Sequence, residues 1–103
     1  MNPKTFVRTL TLTALAATLS ANAFAYSGEN LAGSAKVSMD QAIAIALKAR
    51  PGKITDGELE REGGGSGLRY SFDIKSADTV YEVGVDAVTG KVLENGHEGA
   101  NPD

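Results

Sequence analysis

The segment Val80–Glu94 most constrains the fold, because it has the pattern of a β-strand, a tight turn and a second strand. From Tyr81 to Asp86, apolar residues alternate with polar or small ones, as expected when one face of a strand is buried. Asp86 can accept hydrogen bonds from the backbone ahead of it, and Gly90 can adopt the positive φ that closes such a turn. The segment therefore predicts an antiparallel hairpin whose second strand starts at Val92.

A longer strand pattern lies before this hairpin. Between Leu68 and Lys75, four apolar residues alternate with four polar ones, which predicts a strand with one buried face. The segment Lys53–Glu62 has two large apolar residues, Ile54 and Leu59, and they are out of phase. A bulge at Gly57 would restore the phase, so we expect an edge strand here with its glutamates facing water. The glycine-rich residues 63–67 then form the turn.

An amphipathic helix is predicted before the strands. Ser38 and Gln41 have the spacing of a capping box, which marks a helix N-terminus. Pro51 and Gly52 end the helix near Arg50, because the residue before a proline is disfavoured in helical conformation. Steps of three and four residues along this segment collect one apolar face. Its members are Met39, Ala42, Ile43, Ala46, Leu47 and Arg50.

These elements predict an α+β fold, in which one amphipathic helix packs on one face of a three- to four-stranded antiparallel β-meander. A single helix can cover only one side of such a sheet, and this fits the one-sided alternation of the two clearest strands. We expect large apolar side chains from both layers to form the core. They are Ile43, Leu47, Leu68, Tyr70, Phe72, Ile74, Tyr81, Val83, Val85 and Leu93.

The N-terminal segment has the features of a secretory signal peptide. Lys4 and Arg8 are its only charges, an apolar run follows from Thr9 to Leu19, and residues 23–25 form an A-x-A cleavage site. We therefore expect residues 1–25 to be removed after Ala25, and the rest of the protein to be periplasmic or secreted, without a membrane anchor.

The remaining chain divides into three parts by composition. Residues 26–37 are rich in small and polar residues and predict a flexible leader. Residues 38–94 contain the helix and the strands, and form the domain. Residues 95–103 contain one apolar residue, alanine, and predict a disordered tail.

Charge and cysteine content exclude several classes of function. Without Lys4 and Arg8, the predicted mature chain has a net charge of −5, from the remaining basic residues and all 13 acidic ones. Such a chain is a poor candidate for binding nucleic acid or an anionic membrane. It has no cysteine, which excludes disulfides, cysteine chemistry and a lipid anchor at a cleavage-site cysteine.

The order of these patterns resembles the PepSY domain, a small module of thermolysin-type peptidase propeptides and of stand-alone exported bacterial proteins. The resemblance covers residues 38–94, and its most specific parts are AIAIAL before Pro51-Gly52 and YEV before DAVTGK. It implies a helix on an antiparallel sheet outside the cytoplasm, and a role in restraining peptidases. If this chain restrains a peptidase, we expect it to act in trans.

The sequence contains little that indicates catalysis or metal binding. A zinc peptidase of the H-E-x-x-H type needs two histidines, and this chain has one, His97. Ser66 lies in GGGSGL, which departs from the G-x-S-x-G nucleophile motif at its last position, and no helix is predicted after it. We therefore expect no enzyme activity, no metal and no cofactor.

A binding function remains, in which the protein docks an extracytoplasmic protein, such as a peptidase, through an exposed face or edge of its sheet. A sensory or scaffold module that binds other components of the cell envelope is the alternative, and a small hydrolase is a weaker one. The candidate contact residues face away from the predicted core. They are Glu58, Glu60, Glu62, Arg69 and Val80.

Overall fold

The computed structural model describes residues 25–97 and confirms the α+β fold. A short 3₁₀ turn, Glu29–Ser34, precedes the helix, and four strands follow. The elements are α1 (Met39–Ala49), β1 (Lys53–Arg61), β2 (Leu68–Ser76), β3 (Thr79–Asp86) and β4 (Val92–His97). The strands lie in the sheet in chain order, and each neighbouring pair is antiparallel. The sheet is thus a four-stranded meander, with α1 on one side.

The ends of α1 follow the local signals in the sequence. The Ser38 hydroxyl accepts a 3.1 Å hydrogen bond from the Gln41 N–H, and the Gln41 side chain accepts a 2.8 Å bond from the Ser38 N–H. This reciprocal pair is the predicted capping box. At the other end, Arg50 has extended φ and ψ, as expected for a residue before a proline.

The bulge in β1 lies two residues before the predicted position. Ile54 pairs with Ile74, but the next pair joins Asp56 to Asp73, so Thr55 is the extra residue. Gly57, predicted to be the bulge, has a regular partner in β2. The shift at Thr55 brings Leu59 onto the helix-facing side, where it is buried.

The core lies between α1 and the sheet, and its strand residues are largely those predicted. Leu68, Tyr70, Phe72, Ile74, Val83 and Val85 are all buried. Of the helix residues, Ile43 and Leu47 pack against this core but are only half-buried, whereas Met39, Ala42 and Ala46 from the same apolar face are buried. Small alanines at the centre of the contact let the helix approach the sheet closely, so the longer side chains lie at its margins.

Tyr81 and Leu93, also predicted to be in the core, are half-buried. Tyr81 lies near the end of α1, where the Arg50 side chain covers its ring. Leu93 lies at an irregularity in β4, between the pairs Gly84–Glu94 and Val85–Val92. The extra residue changes the direction of the strand, and the side chain of Leu93 approaches Gly65 in the loop between β1 and β2.

Both flanks of the predicted domain contain more structure than the sequence indicated. β4 continues to His97, three residues past the expected end at Glu94. In the segment predicted to be a flexible leader, Ser27 forms a parallel bridge with Glu58 in β1. The signal peptide and the last residues of the tail lie outside the described residues. No helix within residues 25–97 is long and apolar enough to cross a membrane.

Candidate partner-binding face of the sheet

The face of the sheet opposite α1 carries all five candidate contact residues, and we call it the open face. Cross-strand partners share a face, so the register defines its rows. One row joins Glu58, Ser71, Gly84 and Glu94, and the next contains Glu60 and Arg69. Val80 pairs with Lys75 near the other end of the sheet. Glu62 follows the last residue of β1.

Arg69 lies flat on the open face near the end of the sheet that carries the β1–β2 loop. One of its terminal nitrogens is 3.4 Å from a carboxylate oxygen of Glu94 and 3.8 Å from one of Glu62, and the other donates to the carbonyl oxygen of Gly63. The side chain is only 11% exposed. A partner would therefore meet the surrounding carboxylates rather than a free guanidinium group.

Gly84 provides the space in which Arg69 lies. A Cβ atom at Gly84 would lie 3.0 Å from Cδ of Arg69 and 3.4 Å from Cβ of Glu94, so the glycine sits directly beneath the arginine stem. The Arg69 Nε is buried and makes no hydrogen bond with the described residues. Its position is thus fixed by packing and by the two carboxylates at its tip.

The glutamates of β1 are only partly held by the fold. The Ser71 hydroxyl donates a 2.8 Å hydrogen bond to the carboxylate of Glu60, and Glu58 lies beside Ser71 in the register. Both glutamates are half-exposed. Val80 is half-buried and lies four residues from Gly84, about 13 Å along the strand. The structure therefore groups Glu58, Glu60, Glu62 and Arg69, and leaves Val80 apart.

A row of like charges also crosses the open face. Asp56 pairs with Asp73, and Asp73 pairs on its other side with Glu82. Directly opposed like charges repel one another, and this row makes the local electrostatic potential negative. The sequence pattern could place these residues on the outer face, but their alignment depends on the bulge at Thr55.

A buried carboxylate joins the two loops at one end of the sheet. Asp86 is 1% exposed and accepts hydrogen bonds from the N–H groups of Ser66, Val88 and Thr89 and from the Ser66 hydroxyl. Burial by itself raises the pKa of this carboxyl, but the four hydrogen bonds outweigh burial and hold the pKa well below its ordinary value. Asp86 is therefore ionised and structural.

A second cluster, at the opposite end of the sheet, was missed by the sequence reasoning. The Arg50 guanidinium stacks 3.7 Å from the centre of the Tyr81 ring, and its Nε donates to Asn95. The His97 ring meets the Tyr81 ring edge-on, with centroids 5.0 Å apart. The available signal was the position of Arg50 on the apolar face of the helix, where a cation needs an aromatic or polar partner.

The arrangement offers little for catalysis. The Ser66 hydroxyl binds Asp86, whereas His97 lies beside Tyr81, five residues or about 16 Å along β3 from Asp86. Burial raises the pKa of Tyr70, with a smaller contribution from Tyr26, and the Tyr70 hydroxyl donates to the carbonyl oxygen of Val37. Residues 25–97 contain no cavity and no group of three or more potential metal ligands.

Comparison with known proteins gives one match. The family model PepSY, described as the peptidase propeptide and YPEB domain, matches residues 36–95. This range covers α1 and nearly all of the sheet, including the open face. No curated protein and no solved structure matches the chain significantly.

Proposed function

This chain belongs to the PepSY family, and from that premise we propose that it is an extracytoplasmic binding module that restrains a protein partner, most concretely a peptidase on a separate chain. PepSY domains are generally non-catalytic propeptide or binding modules and are typically extracytoplasmic. The proposal adds a specific surface, which is the open face of the sheet.

The observation that carries this proposal is the one-sided covering of the sheet. α1 packs on the face that contains Phe72 and Val83, both fully buried, while the other face carries charged side chains around Gly84. A broad surface with a fixed backbone can dock a partner with little loss of conformational freedom. The arrangement thus supports recognition by a preformed surface.

The charges of the open face indicate the chemistry of the partner. Its acidic side chains outnumber its basic ones, Lys53, Arg69 and Lys75, and Arg69 is already engaged by two glutamates. A partner surface with exposed lysine or arginine would complement this potential and associate faster at low ionic strength. The acidic side chains are Asp56, Glu58, Glu60, Glu62, Asp73, Glu82 and Glu94.

The alternative of a sensory or scaffold module would use the same face and differs only in the partner. A hydrolase is disfavoured by the separation of Ser66 from His97 along the sheet. Incubation with ester and peptide substrates checks this point, and turnover abolished by Ser66→Ala or His97→Ala would contradict the proposal.

Photo-crosslinking in intact cells tests the surface. A photoreactive amino acid at Glu60 probes the open face, and the same group at Ala44 probes the exposed side of α1 as a matched control. We expect a protein adduct, identified by mass spectrometry, from position 60 and not from position 44. Adducts from position 44 alone would exclude docking through the open face.

Inhibition assays then test the nature of the partner. If the crosslinked protein is a peptidase, adding the purified PepSY protein should slow its hydrolysis of a peptide substrate. Glu58→Lys with Glu60→Lys should abolish the effect, and Asp40→Lys on the exposed side of α1 should not. A crosslinked partner whose activity the domain leaves unchanged would support the scaffold alternative.

A further inference from the structure

The outer edge of β1 is occupied by residues 26–28 of the chain itself. Ser27 forms a parallel bridge with Glu58, and the Leu59 N–H donates a 2.8 Å hydrogen bond to the Ser27 carbonyl oxygen. All other pairings in the sheet are antiparallel. The backbone of β1 therefore already binds one extended segment through its outward-facing groups.

Two side-chain features make this contact selective. The Tyr26 ring meets the Tyr70 ring at an angle of 63°, with centroids 6.4 Å apart, an arrangement that favours an aromatic side chain at this position. Gly28 has φ of 86°, and a Cβ atom there would overlap the Leu59 carbonyl oxygen. The third position of the bound segment therefore requires glycine.

The bound segment is held by few contacts. The 3₁₀ turn that follows it has no buried residue, and Tyr26, Leu31 and Ala35 pack against the core but are only partly buried. Segments with little buried apolar area open at low free-energy cost. An edge strand exposed by such opening can accept another extended peptide in the same position.

We propose that the edge of β1 at Glu58–Leu59 is a peptide-binding site, which residues 26–28 occupy in the free protein. Its ligand is an extended segment of another protein, parallel to β1, with an aromatic residue two positions before a glycine. This site uses the backbone groups at the edge of β1, whereas docking on the open face uses side chains, so either assignment can fail without the other although Glu58 belongs to both.

A peptide copy of the segment tests the site. The probe is the capped peptide AYSGENLAG, identical to residues 25–33, added to the full chain carrying Gly28→Ala. This substitution displaces the chain's own segment, whereas Gly33→Ala is a matched control because no atom lies within 4 Å of a Cβ at that position. Binding is measured by calorimetry, and the site by NMR shifts of the Gly57 to Leu59 amides.

In the wild-type and Gly33→Ala chains, the site is free only in the fraction of molecules whose own segment has opened, and the apparent affinity for the probe is reduced by that fraction. We therefore expect the probe to bind the Gly28→Ala chain at least about tenfold more tightly than either of these chains. Probes in which alanine replaces the tyrosine, or the glycine that corresponds to Gly28, should bind weakly. Tyr26→Ala, which removes the ring contact without adding a clash, should also increase probe binding if Gly28→Ala does not fold.

Three results would overturn this assignment. The first is equal binding of the probe to the wild-type, Gly28→Ala and Tyr26→Ala chains. The second is binding of the alanine-containing probes as tight as that of the original probe, and the third is NMR shifts confined to the open face. A wild-type dimer that dissociates on Gly28→Ala would also contradict it, because a second copy would then be the occupant.

Discussion

The Ser66 hydroxyl donates a 2.8 Å hydrogen bond to the carboxylate of Asp86, 20 residues further along the chain. Ser66 belongs to the loop between β1 and β2, and Asp86 is the last residue of β3. The same carboxylate accepts bonds from the backbone of Val88 and Thr89 in the next turn. One ionised side chain thus joins two loops that have no regular secondary structure.

Asp86→Asn should therefore destabilise the domain. The amide oxygen can replace the carboxylate oxygen that accepts from Val88, Thr89 and the Ser66 hydroxyl, but the NH₂ group then opposes the Ser66 N–H, which loses its acceptor, and the charge is lost from all four bonds. We expect a loss of about 2 to 3 kcal/mol in the free energy of unfolding, the range for buried hydrogen bonds to a charged group. Urea unfolding followed by circular dichroism measures it. Asp78→Asn, in an exposed turn, is the control and should change the stability little.

The lowered pKa of Asp86 also predicts an acid dependence of stability. A carboxyl whose folded pKa lies below its unfolded value of about 3.9 stabilises the fold fully above that pH. Its contribution is lost as the pH falls through the folded pKa. Stability of the wild-type protein should thus decrease more steeply below about pH 4 than that of Asp86→Asn. If the curves of stability against pH run parallel for the wild-type protein and Asp86→Asn, the Asp86 carboxylate is not the source of the acid dependence.

Local sequence signals predicted much of this fold. The capping box at Ser38, the turn between Asp86 and Gly90, and the buried side of β2 each depend on residues close together in the chain. The structure reproduces all three, including the positive φ of 82° at Gly90. Such patterns are predictable because short-range geometry alone determines which backbone and side-chain groups can meet.

The remaining features depend on contacts between distant segments. The bulge at Thr55 is set by pairing with β2, and the extension of β4 to His97 is stabilised by contacts with Tyr81 and the helix end. Neither the bulge nor the extension of β4 corresponds to a local apolar pattern in the sequence. Likewise, sequence alternation could assign Arg69 to the open face, but its contact with Glu94, 25 residues away, requires the register of three strands.

Arg69 offers a test of how the open face is held together. Arg69→Met keeps an unbranched stem over Gly84 but removes the charge, whereas Arg69→Ala removes both. We expect Arg69→Ala to cost about 2 kcal/mol, since it leaves Glu94 without its cation and uncovers the backbone. Arg69→Met should retain part of that stability. Equal losses in urea unfolding would assign the whole effect to charge.

The helix end provides a separate prediction, because Arg50 links α1 to β3 and β4. Arg50→Lys keeps the charge but loses the planar group that stacks on Tyr81 and the Nε bond to Asn95. We expect a loss of about 1 kcal/mol, in line with a partly exposed cation–π contact and one hydrogen bond.

Thermal unfolding of Arg50→Lys measures this loss, and Lys48→Arg on the exposed side of α1 is the matched control. The Tyr81 ring should also shift in NMR spectra of Arg50→Lys, because the cation no longer lies over it. His97→Ala should add to the loss, since its ring covers another side of Tyr81. Wild-type stability in Arg50→Lys, together with an unchanged Tyr81 resonance, would mean that the stacked contact does not hold the helix end in solution.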